Sequence, residues 1–175
     1  TPKILEQAKR LKVIGRAGVG VDTIDLEAAR RRDVAVCNMP GTNTPAVAEL
    51  TLLLMLATLR RVTELDRHTR AGRGWTLDSS VLDNLGELGG RTVGLVGFGA
   101  VGRRLTPMLQ VIGARVLYTK EKEAPGGAAA FVSFADLLSA ADIVSLHVPL
   151  TPQTAGMMDA DVLACMKRGA ILVNT

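Results

Sequence analysis

The segment that most constrains this chain is residues 91–102, RTVGLVGFGAVG, where a short apolar run leads directly into the pattern G-x-G-x-x-G. The run from Thr92 to Val96 is partly β-branched, as is typical of a strand covered on both faces of a sheet. Gly97 permits a tight turn, Gly99 lets backbone N–H groups approach a pyrophosphate, and Gly102 lets the next helix pack closely. The segment therefore predicts a strand, a glycine turn and the start of a helix.

A glycine-rich turn also occurs as a purely structural connection, so the surroundings of this motif matter. The sequence predicts a helix after it, to about Gly113, and a second strand at residues 114–119. Strand, glycine turn, helix and second strand together form the unit that binds dinucleotides. We therefore predict binding of NAD or NADP, with contacts from Gly97, Gly99, Ala100, Val101 and Gly102.

Strand and helix patterns alternate along the rest of the chain. Strands are predicted at residues 11–15, 34–37, 92–96, 114–119, 142–148 and 170–174, and helices at 26–32, 44–70, 100–113, 134–140 and 159–167. This alternation predicts an α/β fold with a doubly wound, Rossmann-like parallel sheet. Connectors are predicted at 72–89 and 125–127, Ser133 is expected to cap a helix, and Pro107 is expected to interrupt one.

The helix predicted at 44–70 is unusual in its apolar character. Thr44 is predicted as its N-cap, with Pro45 at the first helical position. Its first half is apolar nearly all round, so it must be covered on more than one side, between domains or against a second subunit.

Composition excludes several classes of protein. With 175 residues, 47% of them hydrophobic, the chain suits one full domain and part of another. The most apolar segment, 46–59, contains Glu49 and is too short to span a membrane, and no signal peptide opens the chain, so we expect a cytoplasmic protein. A net charge of +4 with only 3% aromatic residues argues against nucleic-acid binding.

The two cysteines do not form a recognisable motif. Cys37 and Cys165 have no C-x-x-C spacing and no histidine companions, which favours reduced core thiols over a disulfide or a metal site.

Several segments together carry a resemblance to a known family. They are GRAGVGVD at 15–22, NMP at 38–40, VAEL at 47–50, the glycine motif, HVPLT at 147–151 and LVNT at 172–175. In this order they resemble the D-isomer-specific 2-hydroxyacid dehydrogenases, in particular the phosphoglycerate dehydrogenase and glyoxylate/hydroxypyruvate reductase branches. The chain resembles only the middle portion of such an enzyme.

The resemblance implies two domains. Residues 1–43 would be the last part of the first segment of a flavodoxin-like substrate domain, and 44–175 the NAD(P)-binding domain, truncated on its C-terminal side. The helix at 44–70 would form a homodimer. Backbone N–H groups of Gly18, Val19 and Gly20 would help bind the substrate carboxylate, although this loop also reads as a simple strand-to-helix turn.

The chemistry implied is reversible hydride transfer between nicotinamide C4 and C2 of a 2-hydroxy or 2-keto acid. The family uses an Arg, a His and a Glu for it, and by the resemblance all three lie beyond Thr175. We therefore expect no catalytic residue and no turnover within residues 1–175. His68 is interpreted as a solvated helix residue, whereas the implied cofactor contacts include His147, Val148, Pro149 and Thr175.

Cofactor choice depends on the residues at the end of the second strand. An NAD enzyme places an acidic residue there to bind the ribose hydroxyls, but this chain has Thr119 and Lys120, followed by Glu121 and Lys122. The hydroxyl and the lysines favour NADP, although Glu121 leaves NAD open. A non-catalytic, corepressor-like dinucleotide-binding module of the same family is the alternative function.

Overall fold

A computed structural model describes residues 2–74, 81, 83, 85–124 and 129–175. Helices lie at α1 (Pro2–Gln7), α2 (Leu26–Arg31), α3 (Thr44–Leu59), α4 (Val62–Arg70), α5 (Ala100–Val111), α6 (Phe134–Ala140) and α7 (Ala160–Ala164). Strands lie at β1 (Val13–Gly15), β2 (Ala35–Cys37), β3 (Thr92–Val96), β4 (Arg115–Thr119), β5 (Ala130–Phe131), β6 (Ile143–Leu146) and β7 (Ile171–Asn174). The predicted loop at 125–127 and much of the predicted connector at 72–89 lie outside the described residues.

The main sheet has five parallel strands in the order β5-β4-β3-β6-β7. The chain starts at β3 in the middle, proceeds outward through β4 and β5, and then returns to the other side of β3 with β6 and β7. The doubly wound parallel sheet is thus confirmed, and the strand order reverses between β3 and β6. Ligands of open α/β sheets bind at the carboxyl ends of the strands at such a switch point.

Strand β3 is covered on both faces, as its apolar sequence predicts. Val93 and Leu95 belong to the core that contains buried residues of α3 and α5, whereas Val96 packs with Leu137 of α6 on the other face. Gly94 has no room for a side chain, because a Cβ there would lie 2.5 Å from Leu137 Cδ2.

A second, two-stranded parallel sheet pairs β1 with β2. A small core beneath it contains Leu5, Ala28, Ala29 and Val34. Asp25 caps α2 by accepting a hydrogen bond from the backbone nitrogen of Ala28 at 2.7 Å.

The predicted continuous helix at 44–70 is wrong. Arg61 has a left-handed backbone (φ 50°), which ends one helix and starts another, and its guanidinium pairs with Glu64 at 2.6 Å. The predicted N-cap is also one residue late: Asn43 occupies that position and Thr44 is already helical, with Pro45 in the first turn. No side chain caps α3.

Pro107 does not interrupt its helix, contrary to the sequence prediction. Helix α5 runs from Ala100 to Val111 with Pro107 inside it. Pro107 and Arg103 are both exposed, so the Arg103 carbonyl that loses its usual helical donor is on the side of the helix open to water.

The cysteines are free but exposed, so the expectation that they are core thiols is wrong. Cys37 ends the short β2 strand and Cys165 follows α7. Within the described residues, no helix is long and apolar enough to cross a membrane, and the cytoplasmic location stays a prediction.

Candidate functional site

A cleft of about 880 Å³ opens at the carboxyl end of the main sheet. Its lining comes from the segment after β6, the end of β7, the first turn of α5, the segment between β1 and α2, and the starts of α2 and α3. The lining residues are Val19, Gly20, Val21, Asp22, Ile24, Asp25, Leu26, Glu27, Asn43, Val47, Val101, Leu146, His147, Val148, Pro149, Leu150, Asn174 and Thr175. The cleft thus joins the switch point of the sheet to the glycine-rich loop at 16–22.

Gly97 turns the chain at the end of β3 in a way that other residues cannot. Its φ is +95°, and a Cβ there would lie 2.5 Å from the carbonyl oxygen of His147. Its nitrogen donates to the carbonyl of Thr119 at 2.9 Å, and the nitrogen of His147 donates to Val96 at 2.7 Å. These contacts hold the ends of β3, β4 and β6 together at the edge of the sheet.

Gly99 and Gly102 have the separate roles that the motif predicts. A Cβ on Gly99 would meet no atom within 4 Å, so this backbone faces open space, whereas one on Gly102 would lie 3.2 Å from the Gly97 carbonyl. Gly99 is the N-cap of α5 and supplies no side chain to cap it. The first N–H groups of α5, at Ala100 and Val101, are therefore available at the positive end of the helix dipole, which suits a pyrophosphate.

An aromatic stack links the glycine turn to strand β4. The rings of Phe98 and Tyr118 stack with centroids 4.0 Å apart, and the Arg103 guanidinium lies 5.3 Å from the Phe98 centroid. Tyr118 is buried and its hydroxyl bonds the backbone of Ala124. The next residue, Thr119, is half-buried, and Lys120 is exposed.

His147 lines the cleft directly after the end of β6. Burial lowers its pKa to about 4, so the ring is neutral at pH 7. Its Nε2 lies 3.0 Å from the Ser145 hydroxyl.

Three carbonyl groups of the glycine-rich loop at 16–22 accept hydrogen bonds from within the chain. The Gly18 carbonyl accepts from the nitrogen of Met39 at 2.9 Å, the Val19 carbonyl from Asn38 Nδ2 at 2.8 Å, and the Gly20 carbonyl from Arg16 Nε at 3.2 Å. The N–H groups of Val19 and Gly20 make no hydrogen bond within the described chain. This loop thus presents two free donors beside the cleft.

The structure brings together most, but not all, of the residues predicted for the site. The cleft itself is lined by Val19, Gly20, Val101, His147, Val148, Pro149 and Thr175. Other predicted site residues do not line it: Gly18 precedes Val19 in the loop, Gly97, Gly99, Ala100 and Gly102 lie in the glycine turn and the start of α5, and Thr119 and Lys120 lie at the end of β4. His68 lies on α4 and does not line the cleft.

Sequence reasoning missed Asn43, Val47, Asp25 and Glu27 as lining residues. Asp25 and Glu27 carry only a helix-start signal, so no local pattern indicates that α2 begins at the cleft. Thr51 was missed as well: its hydroxyl lies 3.3 Å from that of Thr175 and fixes the end of β7 against α3. Within the described residues, no group of His, Cys, Asp and Glu could hold a metal ion.

Comparison with known proteins agrees with this geometry. A sequence profile described as the NAD-binding domain of D-isomer specific 2-hydroxyacid dehydrogenases matches residues 52–175. The chain is 40% identical to the D-3-phosphoglycerate dehydrogenase of Mycobacterium leprae, covering 98% of this chain and 33% of that protein. It is 41% identical to the glyoxylate reductase of Aeropyrum pernix, covering 98% of this chain and 53% of that protein.

A solved structure has the same fold. The NAD-dependent formate dehydrogenase of Staphylococcus aureus, solved in complex with NAD, superposes with a TM-score of 0.93 at 36% identity, covering 100% of this chain and 53% of that one. The chain thus spans a third to about half of the length of these relatives. The profile and the relatives, together with the glycine turn at the end of β3, show that this chain belongs to the D-isomer-specific 2-hydroxyacid dehydrogenase family and carries its NAD-binding domain.

Proposed function

We propose that this chain is the cofactor-binding part of an oxidoreductase that acts on a 2-hydroxy or 2-keto acid. The observation that carries the proposal is the cleft, in which the uncapped start of α5 and the free donors of Val19 and Gly20 face one space. A bound nicotinamide cofactor would supply or accept the hydride. The residues of this chain bind and orient the cofactor and the acid.

The substrate carboxylate is proposed to bind the N–H groups of Val19 and Gly20. Three hydrogen bonds within the chain occupy the carbonyls of Gly18, Val19 and Gly20, whereas the N–H groups of Val19 and Gly20 remain free to bind an anion. The guanidinium of Arg16, which bonds the Gly20 carbonyl, adds positive charge beside the loop. Gly18 contributes its backbone conformation (φ +152°) rather than a free donor.

The preferred cofactor is proposed to be NADP(H). Strand β4 ends at Thr119, whose side chain is uncharged, whereas a carboxylate at this position would repel a 2′-phosphate. The exposed side chains of Lys120 and Lys122 follow it. The carbonyl of Thr119 accepts a hydrogen bond from the nitrogen of Gly97, so Thr119 lies beside the glycine turn. Glu121 is the residue that would favour NAD instead.

We also propose that α3 forms a homodimer. Its buried side, with Ala48, Thr51 and Met55, packs in the core of the main sheet. Its other side exposes Leu50, Leu53 and Leu54 within little more than one turn. Such a continuous apolar face is characteristic of an interface rather than of a surface in water.

Titration of the 175-residue polypeptide with NADH and NADPH tests the cofactor proposal. We expect NADPH to bind about tenfold more tightly, because a charge-assisted contact to a phosphate is worth roughly 1.5–3 kcal/mol. Thr119→Asp should reverse the preference, and Thr63→Asp, on exposed α4, is the matched control. Tighter binding of NADH by the unmodified chain would refute the NADP assignment and leave the dinucleotide site intact.

A turnover assay tests the function itself. Followed by nicotinamide absorbance with glyoxylate and hydroxypyruvate, the polypeptide of residues 1–175 should bind cofactor without turnover, because the resemblance puts the catalytic Arg, Glu and His after Thr175. A longer chain that includes those residues should turn over. Cofactor binding without turnover by that longer chain would favour the corepressor-like alternative.

A further inference from the structure

Ser145, which none of the expectations from the sequence includes, forms a side-chain pair with His147. Ser145 lies in β6 and His147 directly follows the strand, so their side chains lie on the same face of the sheet. Ser145 is fully buried, and His147 is a lining residue of the cleft. The 3.0 Å contact between Ser145 Oγ and His147 Nε2 therefore joins the interior of the sheet to the cleft.

The direction of this hydrogen bond follows from the surroundings of Ser145. Its hydroxyl makes no second hydrogen bond in the described part of the chain. If the hydroxyl oxygen accepted a hydrogen bond from an N–H at Nε2, the hydroxyl hydrogen of Ser145 would be buried without an acceptor, which is costly. The hydroxyl therefore donates to Nε2, and the proton of the neutral His147 ring must sit on Nδ1.

The Nδ1 atom of His147 is accessible to solvent. It has no hydrogen-bond partner among the described residues, and none of their buried side-chain nitrogen or oxygen atoms lacks a partner, so Nδ1 is not buried. The backbone of His147 is fixed at the same place by its bond to Val96. The ring thus offers one immobilised N–H donor to whatever occupies the cleft.

The other ionisable side chains that line the cleft are carboxylates, namely Asp22, Asp25 and Glu27. They cannot donate when ionised. Burial keeps His147 uncharged at neutral pH, so its donor does not change with pH over the physiological range.

We propose that Ser145 is a positioning residue for the cofactor: it holds the His147 ring as the Nδ1–H tautomer, so that Nδ1 donates a hydrogen bond to an oxygen of the bound dinucleotide. This inference rests on the proposed cofactor cleft. The carboxamide oxygen of nicotinamide and an oxygen of the pyrophosphate are both acceptors of the required kind.

Binding measurements on four variants test the coupling of the two side chains. Ser145→Ala should weaken NADH or NADPH binding roughly threefold to tenfold, whereas Ser145→Thr, which keeps the hydroxyl, should bind within about twofold of the unmodified chain. If Ser145 acts through His147, the double variant Ser145→Ala/His147→Ala should bind as weakly as His147→Ala alone. Additive losses would overturn the inference, because they would mean that Ser145 acts independently.

ADP-ribose, which lacks nicotinamide, distinguishes the two acceptors. A loss of affinity for both ADP-ribose and the full cofactor in Ser145→Ala assigns the contact to the pyrophosphate, and a loss for the full cofactor alone assigns it to the nicotinamide. If the unmodified chain binds neither dinucleotide, the proposed cofactor cleft itself fails. If it binds and Ser145→Ala binds equally well, only the role of Ser145 fails.

Imidazole ¹⁵N NMR of the unmodified chain reads the tautomer directly and does not depend on a variant that folds. His68 on α4 is the other histidine of the chain and provides the internal reference. We expect the protonated nitrogen of His147 to be Nδ1, and in Ser145→Ala we expect a mixture of the two tautomers. A proton on Nε2 in the unmodified chain would overturn the inference.

Discussion

Gly97 and Gly99 belong to the same turn but differ in what a side chain would meet. A Cβ at Gly97 would meet the His147 carbonyl, in a left-handed backbone, whereas one at Gly99 would enter open space in front of α5. Gly97→Ala should therefore lower the free energy of unfolding by about 2 kcal/mol or more. Gly99→Val should leave the stability nearly unchanged and weaken cofactor binding at least tenfold, because it occupies the place of the pyrophosphate.

Urea unfolding and cofactor titration of the two variants give independent readouts. Gly90→Ala, at a position with φ +77° and free space, is the control for backbone strain without a clash. Unchanged cofactor affinity in Gly99→Val would contradict the assignment of the pyrophosphate to this turn.

At the residue scale, the sequence predicts the roles of residues within one turn and misses contacts between residues that are distant in the sequence. The roles of Gly97, Gly99 and Gly102 follow from spacing within one turn. The contact of Thr51 with Thr175 joins residues far apart in the sequence, and no periodicity reveals it. The exposure of Cys37 is likewise set by the shape of a small two-stranded sheet rather than by its apolar neighbours.

At the scale of elements, helix α3 provides the clearest test of assembly. Leu53 is 59% exposed in the middle of the apolar face of this helix. Leu53→Arg should convert a dimer into a monomer, because it would bury a charge in the interface without a partner. Val111→Arg is the matched control: Val111 is 89% exposed, at the end of α5, and its replacement should leave the dimer intact.

Sedimentation velocity at micromolar concentration measures this change. A monomeric unmodified chain, or a Leu53→Arg variant that stays dimeric, would refute the interface on α3.

Most element positions are predictable from the sequence, within one to three residues at their ends. Helix α6 begins after Ser133 as expected, because the Ser133 hydroxyl accepts from the nitrogen of Asp136. The break at Arg61 was not predictable, since a left-handed residue is usually glycine or asparagine and arginine carries no such signal. The two-residue strand β5 was missed because its pairing with β4 leaves no periodicity to detect.

At the scale of the whole molecule, the two ends of the parallel sheet have different roles, one in the cleft and one in stability. The carboxyl end holds the cleft, whereas the amino end holds an ionic contact around Asp142. One oxygen of Asp142 accepts from the backbone nitrogen of Thr92 at 2.8 Å, and the other from Lys167 Nζ at 2.9 Å. Asp142 thus joins the starts of β3 and β6 to the turn before β7, at the edge of the sheet opposite the cleft.

This separation predicts a change in stability without a change in cofactor binding. The hydrogen bond from Thr92, with the help of Lys167, holds the pKa of Asp142 below its ordinary value of 3.8. The contribution of the ionised Asp142 carboxylate to the free energy of unfolding is therefore present above pH 4 and is lost as the pH falls through the lowered pKa. Asp142→Ala should lower the free energy of unfolding at pH 7 by about 1 kcal/mol, with a difference from the unmodified chain that shrinks in acid, while the cofactor dissociation constant stays the same.

Urea unfolding between pH 2 and pH 7, with cofactor titration at pH 7, checks both parts of this prediction. Asp66→Ala is the matched control, because its ion pair with Arg70 lies on the exposed surface of α4, where such pairs contribute little. A destabilisation by Asp142→Ala that persists unchanged to pH 2 would show that its carboxylate charge is not the cause. A weakened cofactor affinity would show that the amino and carboxyl ends of the sheet are coupled, because the change at Asp142 would then have reached the ends of β3 and β6 that hold Gly97 and His147.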